Sequence, residues 1–294
     1  MTFVLNPLPP SIDPALLDRL RQAEPATIGH VRHVGFMAPE VRALLPGYRR
    51  IAGTAVTVRV YGADTSIVHY ALGQLRPGDV LVIDRAGDTR HACCGGGVAF
   101  CAREAGCVGI IIDGPATDIQ ELREYGLPIW ARGLSTVTCK PQFTQGEFCV
   151  PISCGGVAVE PGDAILADEN GVLVLKPHDI EASAARAVAM QSEEKVMLAR
   201  VAKREKLPDI NGTNARIADI MRGQAGCLRN LRAASLPFEQ AAREKILLLP
   251  LRAWTAKRTK PGGRGMPQDS CGTTPPPDPL PQGEGENFLH RRDV

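Results

Sequence analysis

Two segments, set about one helix apart, constrain this chain more than anything else in it. The first is Cys94-Gly95-Gly96-Gly97-Val98, and the second is Gly109-Ile110-Ile111-Ile112-Asp113-Gly114-Pro115-Ala116-Thr117-Asp118. A glycine-rich loop that opens a helix presents backbone N–H groups able to hold an anion. A β-branched run reads as a buried strand, and here it carries Asp118 to the strand's rim. Mg²⁺ is usually held by one or two protein carboxylates, several waters and the substrate, so this layout suits a site where a metal meets a small carboxylate. The bland reading of Asp118 is an N-cap for a helix starting at Ile119, which leaves the adjoining glycine loop without an explanation.

The surrounding pattern alternates strands with helices. A periodic helix over Ala15–Ala23 and a second short helical segment over Met37–Leu45 form the lead. Arg50–Val60 alternates and is rich in Val and Thr, which predicts a strand. A helix over Asp64–Leu75 is ended by Pro77-Gly78, and the strand Val80–Asp84 follows. Val98, Cys101, Ala102 and Ala105 fall at i, i+3, i+4 and i+7, the apolar stripe of a helix over Gly97–Ala105. Gly109–Asp113 is a strand ended by the Asp113-Gly114 turn, Ile119–Tyr125 a short helix, and Pro128–Arg132 another strand. From Phe148 the pattern becomes β: a strand over Ile152–Val159, then Ala164–Ala167 and Val172–Lys176 as a hairpin about Asp168–Gly171. A long helix over Asp179–Lys206 closes the unit. Alternating strands and helices followed by hairpins define a layered α/β domain. Pro77-Gly78-Asp79 and Pro161-Gly162-Asp163 are each followed, after four intervening residues, by another Asp, the same turn into a strand used twice.

Composition narrows the function classes. At 294 residues and 44% hydrophobic content the chain can bury a sizeable core. The formal charge is +2, basic and acidic residues are interspersed, and only 4% of residues are aromatic, so nothing argues for a nucleic-acid surface. No stretch of about 18 apolar residues reads as a membrane span, and Met1–Pro10 lacks the features of a signal peptide. The expected location is the cytoplasm. Nine cysteines follow no compact pattern; a zinc site from Cys93, Cys94, Cys101 and Cys107 lacks a Cys-x2-Cys pair, so packing of these thiols into the core, Cys101 included, is the expectation.

Residues from about Ile28 to Met221 resemble the RraA-like family, which includes 4-hydroxy-4-methyl-2-oxoglutarate aldolases, oxaloacetate decarboxylases and regulators of ribonuclease E activity. The resemblance rests on Gly53-Thr54-Ala55-Val56-Thr57, Pro77–Asp84, Ile112-Asp113-Gly114, Arg132-Gly133, and Pro161-Gly162-Asp163 leading into Ala167–Val172. It implies a swivelling β/β/α fold, assembly as a homotrimer or homohexamer with sites at subunit junctions, and a Mg²⁺- or Mn²⁺-dependent lyase acting on a small oxo-acid with release of pyruvate. The aldolase signature is a loop Asp, twenty residues, then Arg-Asp. This chain has Gly96, twenty residues, then Thr117-Asp118.

Carried over by position, the resemblance makes Gly95, Gly96, Gly97 and Val98 the substrate loop, Thr117 the substrate-Arg position and Asp118 the metal ligand. Thr117 cannot make a bidentate charged contact to a carboxylate, so another cation is expected. Arg90 is preferred over His91 and Arg103 because it sits on the loop. With glycine at 96, the proton donor falls to Asp84, Asp88 or His91, among which the sequence does not choose. The alternatives are a related metal enzyme with another substrate, or a non-enzymatic regulator that binds a ribonuclease; the retained Asp118 counts against the regulator.

The domain expected is 1–222. Residues 223–294 form an extension, largely disordered from about 257, where Pro275–Pro281 and scattered charges cannot build a core.

Overall fold

The computed structural model describes residues 2–224, and the expectations for the C-terminal extension lie outside the described residues. In chain order the elements are β1 (Thr2–Leu5), α1 (Pro14–Leu20), α2 (Pro25–Gly29), β2 (Arg42–Ala43), β3 (Ile51–Arg59), α3 (Ser66–Leu72), β4 (Asp79–Asp84), α4 (Gly96–Glu104), β5 (Gly109–Ala116), α5 (Ile119–Tyr125) and β6 (Ile129–Leu134). They continue with β7 (Gln145–Phe148), β8 (Ile152–Cys154), β9 (Val157–Val159), β10 (Ala164–Asp168), β11 (Gly171–Leu175), α6 (Ile180–Ala202) and α7 (Leu207–Ile210).

Strands β3, β4, β5 and β6 are parallel neighbours in that order, each pair joined by one helix. Because each crossover steps the same way across the sheet and keeps the same hand, the three helices fall on one face. Alternation along the strands then sorts the core. Leu81, Ile83, Ile110 and Ile112 face α3, α4 and α5, meeting Ile67, Ala99, Ala102 and Leu122. Val80, Val82 and Ile111 point the other way, onto a second β layer with Ile152, Val159, Ile165 and Val174. The outer side of the β10–β11 hairpin, with Leu166 and Leu173, is covered by Leu17 and Leu20 of α1 and Ile180 and Ala184 of α6. This is a mixed α/β fold with two β layers against a helical layer, as expected.

Four local expectations are corrected. Met37–Leu45 is not helical: Met37 N–H donates to Val172 O at 3.0 Å, a turn closes with Val41 N–H on Ala38 O at 2.9 Å, and β2 then pairs with β6. Met37, Val41 and Leu45 have helical spacing but bury into two different core clusters. Strand β5 does not stop at Asp113-Gly114; an irregularity between Ile112 and Pro115 lets it run on to Ala116. Ile152–Val159 is two strands folded back at Gly155-Gly156, both at positive φ. Finally, the buried side of α4 is Gly96, Ala99 and Ala102, and Cys101 is exposed rather than packed, whereas Cys93, Cys94 and Cys107 are buried. Strands β1 and β7 had no sequence signal; they pair in parallel with Thr2 opposite Gln145.

Candidate functional site

The carboxyl end of β4 leads into the loop before α4 and that of β5 into the turn before α5, at the end of an open parallel sheet where ligands usually bind. Asp118 sits between β5 and α5 with φ +57° and ψ +45°, a left-handed conformation that Asp tolerates better than most residues. That turn carries its carboxylate away from its own helix. No side-chain cap is made to α5; instead Oδ2 accepts the N–H of Gly96, the first residue of α4, at 3.0 Å. The second oxygen, Oδ1, has only the Thr117 hydroxyl at 3.3 Å. Thr117 N–H donates to Cys94 O at 2.9 Å, tying the two loops together.

The first hydrogen bond closing α4 runs from Ala99 N to Gly95 O at 3.0 Å. The N–H groups of Gly97 and Val98 therefore lack an acceptor within the helix. Gly95, Gly97, Val98, Thr117 and Asp118 all line one cleft of about 440 Å³. Its opposite wall comes from α3 and the segment 138–141: Thr65, His69, Thr138 and Lys140. Asp64 explains how that wall is held. Its carboxylate accepts Ser66 N at 2.9 Å, Thr144 N at 2.8 Å and Gln142 N at 2.9 Å, bonds that outweigh burial and keep its carboxyl well below the usual range. Because Asp64 serves the start of α3, the Thr65 hydroxyl is left buried and unpartnered beside the cleft. Lys140 is exposed, and its ammonium has no ion-pair partner among the described residues.

The other sequence candidates lie elsewhere. Arg90 is exposed and contributes only backbone contacts, to Asp88 and Ser135; it does not line the cleft. Arg103 stacks 4.9 Å from the Phe100 ring at the far end of α4. Asp84 is held by Arg59 at 3.0 Å and Ala86 N at 2.7 Å. Asp88 accepts the His91 ring at 2.8 Å, the backbone N–H groups of Arg90 and His91, and Arg85 at 3.2 Å. Burial alone would raise its carboxyl, but these bonds pull it down to about 2. None of Asp84, Asp88 and His91 lines the cleft. Cys93 and Cys94 do, with burial pushing the Cys93 thiol up to about 12. Sequence reasoning missed Thr65, His69 and Lys140, because isolated bridges from Asp64 to Lys140 and from Ala92 to Thr138 bring them in from distant segments.

The donor set suits a hydrated divalent ion. Among the described residues no three His, Cys, Asp or Glu converge, but Mg²⁺ needs only one or two carboxylates. Asp118 Oδ1 offers one, with an unpartnered buried hydroxyl on the same cleft. A groove of similar volume, about 450 Å³, runs past Pro25, Phe36 and Val172, but its one arginine, Arg32, is tied to Asp179 at 3.1 Å.

Several known proteins are similar to this chain. A Thermus thermophilus protein named 4-hydroxy-4-methyl-2-oxoglutarate aldolase is 37% identical over 145 residues, covering 48% of this chain and 85% of the relative. A Halalkalibacterium halodurans relative is 39% identical over 126 residues, 43% of this chain and 60% of its own length. Streptomyces coelicolor RraAS2, described as an unusual member of the RNase ES inhibitor RraA protein family, superposes with a TM-score of 0.57 at 25% identity, over 64% of this chain and 99% of that one. A Pseudomonas syringae protein of 23% identity shares the fold with a TM-score of 0.60, over 71% of this chain and 98% of its own. The model of the RraA-like family (Aldolase/RraA) matches residues 18–174, more than half of the chain. The chain belongs to the RraA-like family.

Proposed function

We propose that the protein is a divalent-metal-dependent carbon–carbon lyase for a small oxo-acid, cleaving by retro-aldol reaction or by decarboxylation of an oxaloacetate-like substrate to leave pyruvate. One observation carries this reading: Asp118, the free N–H groups of Gly97 and Val98, and Lys140 meet in a single cleft. The Gly97 and Val98 N–H groups and the positive end of α4 bind the substrate carboxylate. Lys140 supplies the charge that Thr117 lacks, in place of the Arg90 expected from the sequence. A metal ion at Asp118, when bound, is a Lewis acid for the enolate left as the bond breaks. Gly96 N–H holds Asp118 Oδ2 and so leaves Oδ1 for the ion. In retro-aldol cleavage His69, the imidazole on the cleft wall, would take the proton of the substrate hydroxyl as the bond breaks and return it to the enolate; in decarboxylation carbon dioxide leaves and the same imidazole relays a proton from water.

The test is pyruvate release from oxaloacetate and from 4-hydroxy-4-methyl-2-oxoglutarate, with Mg²⁺ or Mn²⁺ and with EDTA. Metal-dependent release that Asp118→Asn abolishes is the expected result. No release from any oxo-acid, together with saturable binding to a ribonuclease, would favour the regulator reading. The same proposal takes the protein to be a trimer or hexamer, since soluble oligomers usually close symmetrically; light scattering reads this directly.

A further inference from the structure

The cleft is not polar along its whole length. Helices α3 and α4 follow the parallel strands β3 and β4, start at the carboxyl edge of the sheet and lie beside one another, so the cleft continues downward as a groove between them. Thr65, His69 and Leu72 line one side at i, i+4 and i+7, a single stripe of α3 and its N-cap. Val98 and Cys101, at i and i+3 on α4, line the other. The groove therefore has an order. Asp118, the Gly97 N–H and the buried, unpartnered Thr65 hydroxyl stand at its upper end, where Thr65 N–H donates to Lys140 O at 3.2 Å and fixes the lysine's backbone. His69 comes one turn lower. Leu72 and Cys101 are lowest, with Val98 above them, and none of these three carries a charge.

The two ends suit different parts of one ligand. Below the head group, α4 rises about 6 Å from Gly97 to Cys101 and α3 about 10 Å from Thr65 to Leu72, room for a short carbon chain. Leu72 and Val98 are half-buried against the helical-side core, and Cys101 is exposed. A carboxylate placed among them would lose water and gain neither a cation nor a donor. Methylene groups would instead cover apolar surface that solvent otherwise meets.

We infer that Leu72, Val98 and Cys101 form a tail subsite, and that the preferred substrate is a 4-hydroxy-2-oxo acid whose fourth carbon carries a short alkyl group in place of a second carboxylate. This rests on the lyase reading of the upper end and narrows it to one substrate class. In the retro-aldol step the bond between the third and fourth carbons breaks, and its electron pair passes into the pyruvate enolate. The hydroxyl proton moves to His69 and the fourth carbon leaves as an aliphatic aldehyde; the same proton then returns to the third carbon, completing pyruvate.

Binding of 2-oxo acids that cannot be cleaved to the full, Mn²⁺-loaded chain, read by calorimetry, tests the tail apart from turnover. Pyruvate, 2-oxopentanoate and 2-oxohexanoate should bind with rising affinity, about twofold to threefold per methylene, as fits burial in a groove open on one side. 2-Oxoglutarate carries a carboxylate where 2-oxopentanoate ends in a methyl, and should bind about tenfold more weakly than that acid. Leu72→Ala should weaken 2-oxohexanoate about fivefold and leave pyruvate within about twofold. Cys101→Arg, at an exposed position, should reverse the preference between 2-oxoglutarate and 2-oxopentanoate by giving the second carboxylate a cation. Wild type that binds 2-oxoglutarate as tightly as 2-oxopentanoate, affinity that does not rise with chain length, or a variant that keeps its fold by circular dichroism and fails to shift as stated would overturn the inference. If oxalate still binds in that case and Asp118→Asn abolishes it, the lyase site survives without the tail; if neither oxalate nor any 2-oxo acid binds, both readings fall.

Discussion

Two kinds of aspartate end elements in this protein, and they are treated differently. At Pro77-Gly78-Asp79 and Pro161-Gly162-Asp163 the glycine sits at φ +87° and +91°, and the aspartate turns back to accept an N–H three residues earlier. Asp79 takes Arg76 N at 2.8 Å and Asp163 takes Glu160 N at 2.8 Å. Each is then neutralised, Asp79 by the Arg76 guanidinium at 3.1 Å and Asp163 by Lys176 at 3.0 Å. Asp118 has one hydrogen bond of normal length, no cation, and a left-handed backbone. The carboxylates that hold these two turns have their lone pairs occupied and their charge cancelled. Those at the cleft keep acceptor capacity in reserve, which a ligand site requires and a stable turn does not.

The sharpest way to break this contrast is to remove each kind. Asp79→Ala deletes a fully buried acceptor and leaves Arg76 without its partner; it should cost about 3 kcal/mol in urea denaturation. Asp163→Ala should cost somewhat less, because Lys176 is freer to return to solvent. Asp118→Ala should cost under about 1 kcal/mol. Equal losses at Asp79 and Asp118 would mean that the cleft carboxylate is structural after all.

Ligand binding sharpens the contrast from the other side. Oxalate, a mimic of the pyruvate enolate, should bind Lys140→Ala about tenfold or more weakly in the presence of Mn²⁺, the loss of one charge-assisted hydrogen bond. Arg90→Ala should leave it unchanged within about twofold, since that side chain does not line the cleft. The opposite ranking would restore the sequence-based preference for Arg90 and remove Lys140 from the site.

How much of this is legible in the sequence follows from the range of the interactions. The βαβ core is readable because strand runs such as Gly109–Asp113 and the helix stripe beginning at Val98 are local patterns. The glycine loop and Asp118 are readable for the same reason. Lys140, His69 and Thr65 are not, since the cleft wall is set by bridges between segments far apart in sequence. Met37–Leu45 misleads because residues spaced like a helix bury equally well on a turn and short strand that reach two different core clusters.

Asp88 belongs with the structural aspartates, and pH tests this. Its carboxyl is held down at about 2, below an unfolded value near 3.9. A depressed folded value contributes stability that is fully present above the unfolded value and is lost as pH falls through the folded one. Wild type should therefore lose stability between about pH 4 and pH 2, and Asp88→Asn, already weaker at neutral pH, should show a flatter profile across that window. A parallel pair of profiles would show that ionised Asp88 gains nothing from Arg85 and His91 on folding.

The smallest effect is expected where a charge is added rather than removed. Thr117→Arg puts a guanidinium beside Asp118 and the glycine loop, able to form two parallel hydrogen bonds to a substrate carboxylate that a threonine hydroxyl cannot offer. Two effects limit the gain. Lys140 already brings a cation to the cleft, and ordering a long arginine side chain costs rotamer entropy that a threonine does not lose. Oxalate should tighten by about fivefold, near 1 kcal/mol, when titrated into Mn²⁺-loaded protein. If Lys140 is the existing partner, the gain should be larger in a Lys140→Ala background, because the arginine then replaces a missing charge instead of adding to one. Equal gains in the two backgrounds would show that position 117 and Lys140 serve different groups of the ligand, and the cleft would then have to accommodate a second carboxylate at the Lys140 wall.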